Sequence, residues 1–305
     1  MKKAVKSIGV LLACCFVITS AAQKTIDTIA TKVDGYDIPI RIKLPKNTNG
    51  KNPVYFFVHG GGWNGGDSKN VPPARLHNDA NYLADQLEVI YVGLAYRCKG
   101  NNATFSDAIE DLEASVQWFF DNAENYNADI TRIGFGGASA GSTLAAIMAQ
   151  KYTNCKLLVG AEGMYNLVEH SEERSLFPNQ KARIAFGLAT ENESKKASAY
   201  YNLSENPPNT LLLHGDADVL CHYTQSIKFA EKIKSQGGNA KVVLHKDINH
   251  TTLNPSIPDV FKESVLEVAA LFIDGFNLNK NTTSLKALLD KRLKNQYPSS
   301  EINES

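Results

Sequence analysis

The residues Gly137-Ala138-Ser139-Ala140-Gly141 follow the β-prone run Arg132-Ile133-Gly134-Phe135-Gly136 and open a small-residue helical stretch. That order sets a strand, a sharp turn and a helix in one short span, with a serine at the apex. A serine held on such a turn leaves no room for β-carbons two residues away on either side, and glycine stands at both places. The turn lifts the hydroxyl above the sheet and aims a helix N-terminus at it, which favours developing negative charge.

A second motif lies 80 positions earlier: His59-Gly60-Gly61-Gly62-Trp63, directly after the apolar run over residues 54–58. A buried strand ending in three glycines exposes successive backbone N–H groups with only hydrogen at the side-chain positions. Acyl transfer needs such a place, because its tetrahedral intermediate puts charge on the former carbonyl oxygen. Gly61 and Gly62 are candidate donors, and the N–H of Ala140 completes the oxyanion hole. Trp63 is a candidate substrate contact, with a core aromatic as the equal alternative.

An acid and a base are then expected in the order serine, acid, histidine. The strand-like run Thr210-Leu211-Leu212-Leu213 leads into His214-Gly215-Asp216-Ala217-Asp218, where two aspartates compete and spacing alone leaves both open. Among seven histidines, His59 and His77 precede the serine and His170 falls in a polar insertion. His214 ends a strand, where a structural role suits it; His222 sits too close to the acid, and His245 terminates a strand. His250 lies in the loop Asp247-Ile248-Asn249-His250-Thr251, ahead of a helix signalled by Pro258, and is the expected base.

These motifs resemble the α/β-hydrolase superfamily, specifically the carboxylesterase branch that includes hormone-sensitive-lipase-like and bacterial feruloyl/acetyl esterases. The resemblance runs from about Pro53 to Phe276. Ala95-Tyr96-Arg97, Phe105-Ser106-Asp107-Ala108 and Asp111 with Trp118 look like the family's Tyr-Arg strand end and following helix. Asp129-Ile130-Thr131-Arg132-Ile133 looks like its lead-in to the serine strand. His214-Gly215-Asp216-Ala217-Asp218 looks like its His-Gly-x-x-Asp loop, which implies Asp218 as the acid. Trp63-Asn64-Gly65-Gly66-Asp67 is closer to the small carbohydrate-ester and formamidase-like members than to long-chain lipases. The chain departs from the hormone-sensitive-lipase pattern Gly-Asp-Ser-Ala-Gly-Gly at Ala138 and Ser142.

The start of the chain reads as an export signal over residues 1–22. Lys2, Lys3 and Lys6 form a basic region, residues 8–18 are apolar but short for a membrane span, and Ser20-Ala21-Ala22 resembles a cleavage site. A periplasmic or secreted protein without a transmembrane anchor is expected, with lipidation at Cys14 the lesser alternative. Removing residues 1–22 takes away three lysines and no acid, leaving 29 basic against 32 acidic residues, a balance that suggests no nucleic-acid partner. Cys98, Cys155 and Cys221 then remain, too few for a disulfide framework. The family's strand order implies that Cys98 and Cys221 follow strands about 19 Å apart, whereas a disulfide needs Cα atoms within about 7 Å. Three free thiols are expected. No cysteine or histidine spacing resembles a metal site, and no cofactor is expected.

Residues 23–278 are long enough for one α/β catalytic domain. An opening hairpin over residues 26–33 and 36–44 turns at Asp34-Gly35, with Pro39 marking an edge strand. Strand-like runs over 54–58, 89–94, 133–136, 157–161, 210–213 and 242–244 then alternate with helical stretches such as 107–122 and 225–235, the signature of a mostly parallel sheet flanked by helices. Residues 163–206, with mixed charge, Pro178 and scattered aromatics, read as a small cap insertion or as an ordinary loop. Residues 279–305 read as one terminal helix carrying Leu285, Leu288, Leu289 and Leu293, then a frayed tail.

The expected activity is hydrolysis of short-chain acyl or aryl esters, including small-molecule or acetylated and feruloylated carbohydrate esters. A prolyl or dipeptidyl-type peptidase and a catalytically silent binding protein on the same fold are the alternatives.

Overall fold

Among the described residues, runs dense in Val, Ile, Leu, Tyr and Phe build an eight-stranded sheet. The structure, a computed structural model, describes residues 24–46, 50–169 and 186–296. Its strands are β1 (Lys24–Val33), β2 (Tyr36–Leu44), β3 (Asn52–Val58), β4 (Ile90–Leu94), β5 (Ala128–Ala138), β6 (Cys155–Ala161), β7 (Asn209–Gly215) and β8 (Ala240–His245). They lie in the order β1-β2-β4-β3-β5-β6-β7-β8. β1, β2 and β4 pair antiparallel, and from β4 to β8 every neighbour is parallel. This is the mostly parallel sheet that the resemblance implies.

The central strands are continuously apolar because both faces are covered. Val54, Phe56 and Val58 of β3 join one core with Phe119, Leu144 and Phe229, whereas Tyr55 and Phe57 join the other with Leu83, Phe261 and Phe272. The first core is roofed by α2 (Phe105–Asp121), α3 (Ala140–Lys151) and α5 (Thr224–Ser235); the second by α1 (Ala80–Leu87), α6 (Pro258–Gly275) and α7 (Thr283–Gln296). In α7, Leu285, Leu289 and Leu293 are buried in that second core, so the terminal helix is part of the domain's packing. The tail after Gln296 lies outside the described residues.

One expectation about the hairpin needs correction. The Asp34-Gly35 turn has φ 50° and 86°, as a two-residue turn requires, but β2 is an internal strand between β1 and β4. Pro39 is accommodated because it lies beyond the β4 ladder, which uses residues 40–43, and because its β1 partner Ile29 sits at a register shift. The missing N–H therefore costs no regular ladder bond.

Within the 163–206 insertion the described parts include the short helix α4 (Glu191–Lys196), and Tyr165 and Phe186 turn inward. Tyr165 stacks on Phe229 at 4.5 Å and Phe186 on Trp63 at 5.2 Å. His170, Phe177 and Pro178 lie outside the described residues, as do residues 1–22 and Cys14. Cys98, Cys155 and Cys221 are separate buried thiols, and burial pushes Cys98 and Cys155 up to about 12. Among the described residues no helix is long and apolar enough to cross a membrane, and no cluster could hold a metal ion.

Candidate active site

Parallel strands deliver their following loops to one edge of the sheet, and the proposed machinery collects there. Ser139 follows β5 and precedes α3 with φ 54° and ψ −126°, a backbone that side-chain-bearing residues rarely adopt. Its N–H donates to the Ala161 carbonyl at 2.8 Å, tying the turn to the end of β6. The flanking glycines are sterically required. A β-carbon on Gly137 would lie 2.4 Å from the Gly141 carbonyl carbon, and one on Gly141 would lie 2.2 Å from the Val58 oxygen and 2.4 Å from that of His59. Because those atoms are backbone, Gly141→Ala is expected to destabilise the fold by about 3 kcal/mol, the upper end of overpacking costs. Urea unfolding with an unchanged midpoint would count against this packing.

The glycine loop lies against that turn. A β-carbon on Gly60 would come 2.7 Å from the Ala138 oxygen and 3.2 Å from the Ser139 β-carbon. Gly61 and Gly62 have φ 124° and 61°, and among the described residues no acceptor is bonded to either N–H. The loop is braced from behind: the Tyr96 hydroxyl donates to the His59 carbonyl at 3.0 Å, and the two rings stack at 4.6 Å. Burial holds the His59 imidazole below its ordinary value. Arg97 pins the same strand end, its Nε donating to the buried Asp111 carboxylate at 2.9 Å and its Nη1 to Asp34 of the hairpin turn at 2.5 Å.

Trp63 is placed as a brace. It is 2% exposed, and its indole N–H donates to the Ala140 carbonyl at 3.2 Å while the ring stacks on Phe186. A ring so enclosed has little surface to offer a substrate, so of the two readings of Trp63 the core aromatic fits its position.

Of the two aspartates after β7, Asp218 is the one that meets His250. His250 Nδ1 lies 2.7 Å from Asp218 Oδ2, while Asp216 accepts from the Asp247 N–H at 2.6 Å. Asp218 is 2% exposed, and its Oδ1 accepts from the N–H groups of Leu220 and Cys221 at 2.8 and 2.9 Å. His214 supplies a further donor that sequence reasoning did not use: its Nε2 faces the Cys221 carbonyl at 2.9 Å and Asp218 Oδ2 at 3.2 Å. Carbonyl and carboxylate oxygens only accept, so that nitrogen carries the proton, and Nδ1 pairs with the Ser226 hydroxyl at 2.7 Å. Burial works to raise the Asp218 carboxyl, but the donors from His214, His250 and Cys221 outweigh it and hold the group well below the usual range. His250 shows the reverse balance. Burial works to lower it, but the hydrogen bond and charge of Asp218, with the charge of Glu162, hold it above its ordinary value. With Nδ1 committed to Asp218, Nε2 is the nitrogen left for proton exchange. His245 is buried elsewhere, against Ser264 at 2.9 Å.

Ser142, where the chain departs from the resembled pattern, is buried with its hydroxyl 2.9 Å from that of Tyr165. The pair packs over Gly160 and Gly163, whose β-carbons would lie 2.8 and 2.5 Å from the Ser142 hydroxyl oxygen.

The family model BD-FAE matches residues 40–233, well over half the chain. The chain belongs to the BD-FAE family. The match spans the glycine loop, the serine turn and the loop carrying Asp218, and stops short of His250. Carboxylesterase NlhH of Mycobacterium tuberculosis is 35% identical over 115 residues, covering 37% of this BD-FAE chain and 34% of that protein. A probable isoprenylcysteine alpha-carbonyl methylesterase, ICMEL1 of Arabidopsis thaliana, is 27% identical over 240 residues, 69% of this chain and 48% of that one. The chain thus spans between a third and a half of the length of these relatives. Among solved structures, Thermogutta terrifontis esterase 2 phosphonylated by sarin superposes with a TM-score of 0.69 at 19% identity, covering 86% of this chain and 98% of that one, a likeness of fold.

Proposed function

We propose that this BD-FAE family member is an exported serine carboxylesterase that cleaves short-chain acyl or aryl esters. The observation that carries the reading is the Asp218–His250 pair at 2.7 Å, at the same sheet edge as a strained serine turn closed by a glycine loop. Carboxylesterase and methylesterase relatives agree with it.

The reaction runs in two halves. Ser139 Oγ attacks the ester carbonyl carbon as its proton passes to His250 Nε2, and Asp218 stabilises the imidazolium. The N–H groups of Gly61, Gly62 and Ala140 hold the oxyanion, each such donor being worth about 3–4 kcal/mol. As the tetrahedral intermediate collapses, the ester C–O bond breaks and the leaving alcohol takes the proton back from His250. Water then attacks the acyl-serine, giving its proton to His250, and the carboxylic acid departs with Ser139 restored.

Trp63 stacked on Phe186 fills volume beside the glycine loop, which favours a short acyl group. Residues 1–22 direct export to the periplasm or beyond, where acetylated or feruloylated carbohydrate is the substrate class to test. The test is hydrolysis of p-nitrophenyl acetate, butyrate and octanoate by the mature protein. Cleavage fastest on acetate or butyrate is expected. Preference for octanoate would overturn the short-acyl reading, and no cleavage of any ester by folded protein would overturn the esterase.

A further inference from the structure

A Ser–His–Asp arrangement needs one carboxylate at the base, and this chain buries a second against the loop that carries His250. The second is Glu162, the residue after β6. It is 4% exposed and has φ 48°, a left-handed conformation that glycine or asparagine takes more readily. Its N–H donates to the Leu213 carbonyl at 2.9 Å, anchoring it beside β7. Its carboxylate accepts from both the N–H and the hydroxyl of Thr252, two residues beyond His250. The preceding residue, Ala161, accepts from the N–H of Ser139. One dipeptide thus holds the nucleophile turn on one side and the base loop on the other.

A buried carboxylate is costly unless donors or a cation compensate it. Thr252 supplies two donors, and the cation available is the His250 ring once it is protonated. Two carboxylates act on that ring, Asp218 from the loop after β7 and Glu162 from the end of β6. His214 faces Asp218, and Asp216 is engaged with the Asp247 N–H.

We propose that Glu162 is a positioning residue for the base: it clamps the His250 loop through Thr252 and stabilises the imidazolium formed when Ser139 gives up its proton. The inference rests on the esterase reading above.

Glu162→Gln separates charge from scaffold, since the amide oxygen still accepts from Thr252. The variant is expected to fold, to lose kcat by about 10-fold with KM within about twofold, and to shift the acid limb of kcat/KM to lower pH. The sign follows because an anion beside the ring favours its protonated form, so removing the charge frees the base at lower pH. Glu162→Ala, which also loses the clamp, should fall further. Wild-type kcat with an unmoved acid limb in Glu162→Gln would overturn the proposal. An NMR titration of the His250 imidazole in wild type and Glu162→Gln gives a readout free of turnover: a lowered midpoint supports the inference and an unchanged one overturns it. Inactive wild type, or an active Ser139→Ala, would strike the esterase reading, while the titration still judges Glu162.

Discussion

Ser139→Ala is expected to remove ester hydrolysis by roughly five to six orders of magnitude in kcat, the scale on which losing the nucleophile acts in a serine hydrolase. The fold should survive it. The backbone of the turn is held by the Ser139 N–H to Ala161 and by the Ser142 N–H to the Ser139 carbonyl at 2.9 Å, and alanine keeps both. Stability should change by less than about 1 kcal/mol. Ser139→Gly should be more stable than Ser139→Ala, because glycine adopts φ 54° without the cost a β-carbon brings. Thermal melts and p-nitrophenyl ester rates on the three proteins check both halves. Residual activity near wild type in either variant would move the nucleophile elsewhere.

Asp218→Asn should cost about 10⁴-fold in kcat, and the local hydrogen bonds say why. Oδ1 is fixed as an acceptor by the N–H groups of Leu220 and Cys221. An asparagine therefore turns its NH₂ toward the space now held by Oδ2, where the donors of His250 and His214 point. Donor then meets donor. His250 relieves the conflict by moving its proton to Nε2, the tautomer that cannot accept from Ser139. The pH dependence follows from the same pair. His250, raised in the wild type, gives an acid limb of kcat/KM above the ordinary imidazole range, and Asp218→Asn lowers it. In stability, the raised histidine contributes fully below its unfolded value, and that contribution is lost as pH rises through the folded one. The depressed aspartate contributes above its unfolded value and loses its share as pH falls through the folded one. The melting-temperature gap between wild type and Asp218→Asn should accordingly be widest between the ordinary carboxylate range and the ordinary imidazole value, and should narrow from there to the raised value of His250. A gap that grows above that window instead would contradict the pairing.

The parts of this fold that rest on local chemistry were legible in the chain. Glycines flanking Ser139, three glycines after an apolar strand and Asp34-Gly35 each demand a particular backbone, and the structure places a turn at every one. Apolar runs marked the parallel strands. What required tertiary context was less visible. Pro39 reads as an edge residue, because sequence cannot show that β4 would pair one residue further on. The lead-in over 129–133 belongs to β5, since Asn52 and Pro53 pair with Ala128 and Asp129 before a register shift. Trp63 could read as core or as substrate contact until Phe186, far along the chain, was seen stacked on it. Glu162 carried no signal at all: a lone glutamate after a strand becomes interesting only when Thr252, 90 residues later, folds back to it. His214, read as structural, turns out to touch Asp218 as well.

The central claim is that Ser139 is an activated nucleophile. Its most direct test is a fluorophosphonate probe on the purified protein, read by intact mass and peptide mapping beside Ser139→Ala. One adduct on the Ser139 peptide, absent from the variant, is the predicted result. Folded protein that takes no adduct, or a variant that labels as well as wild type, would contradict it.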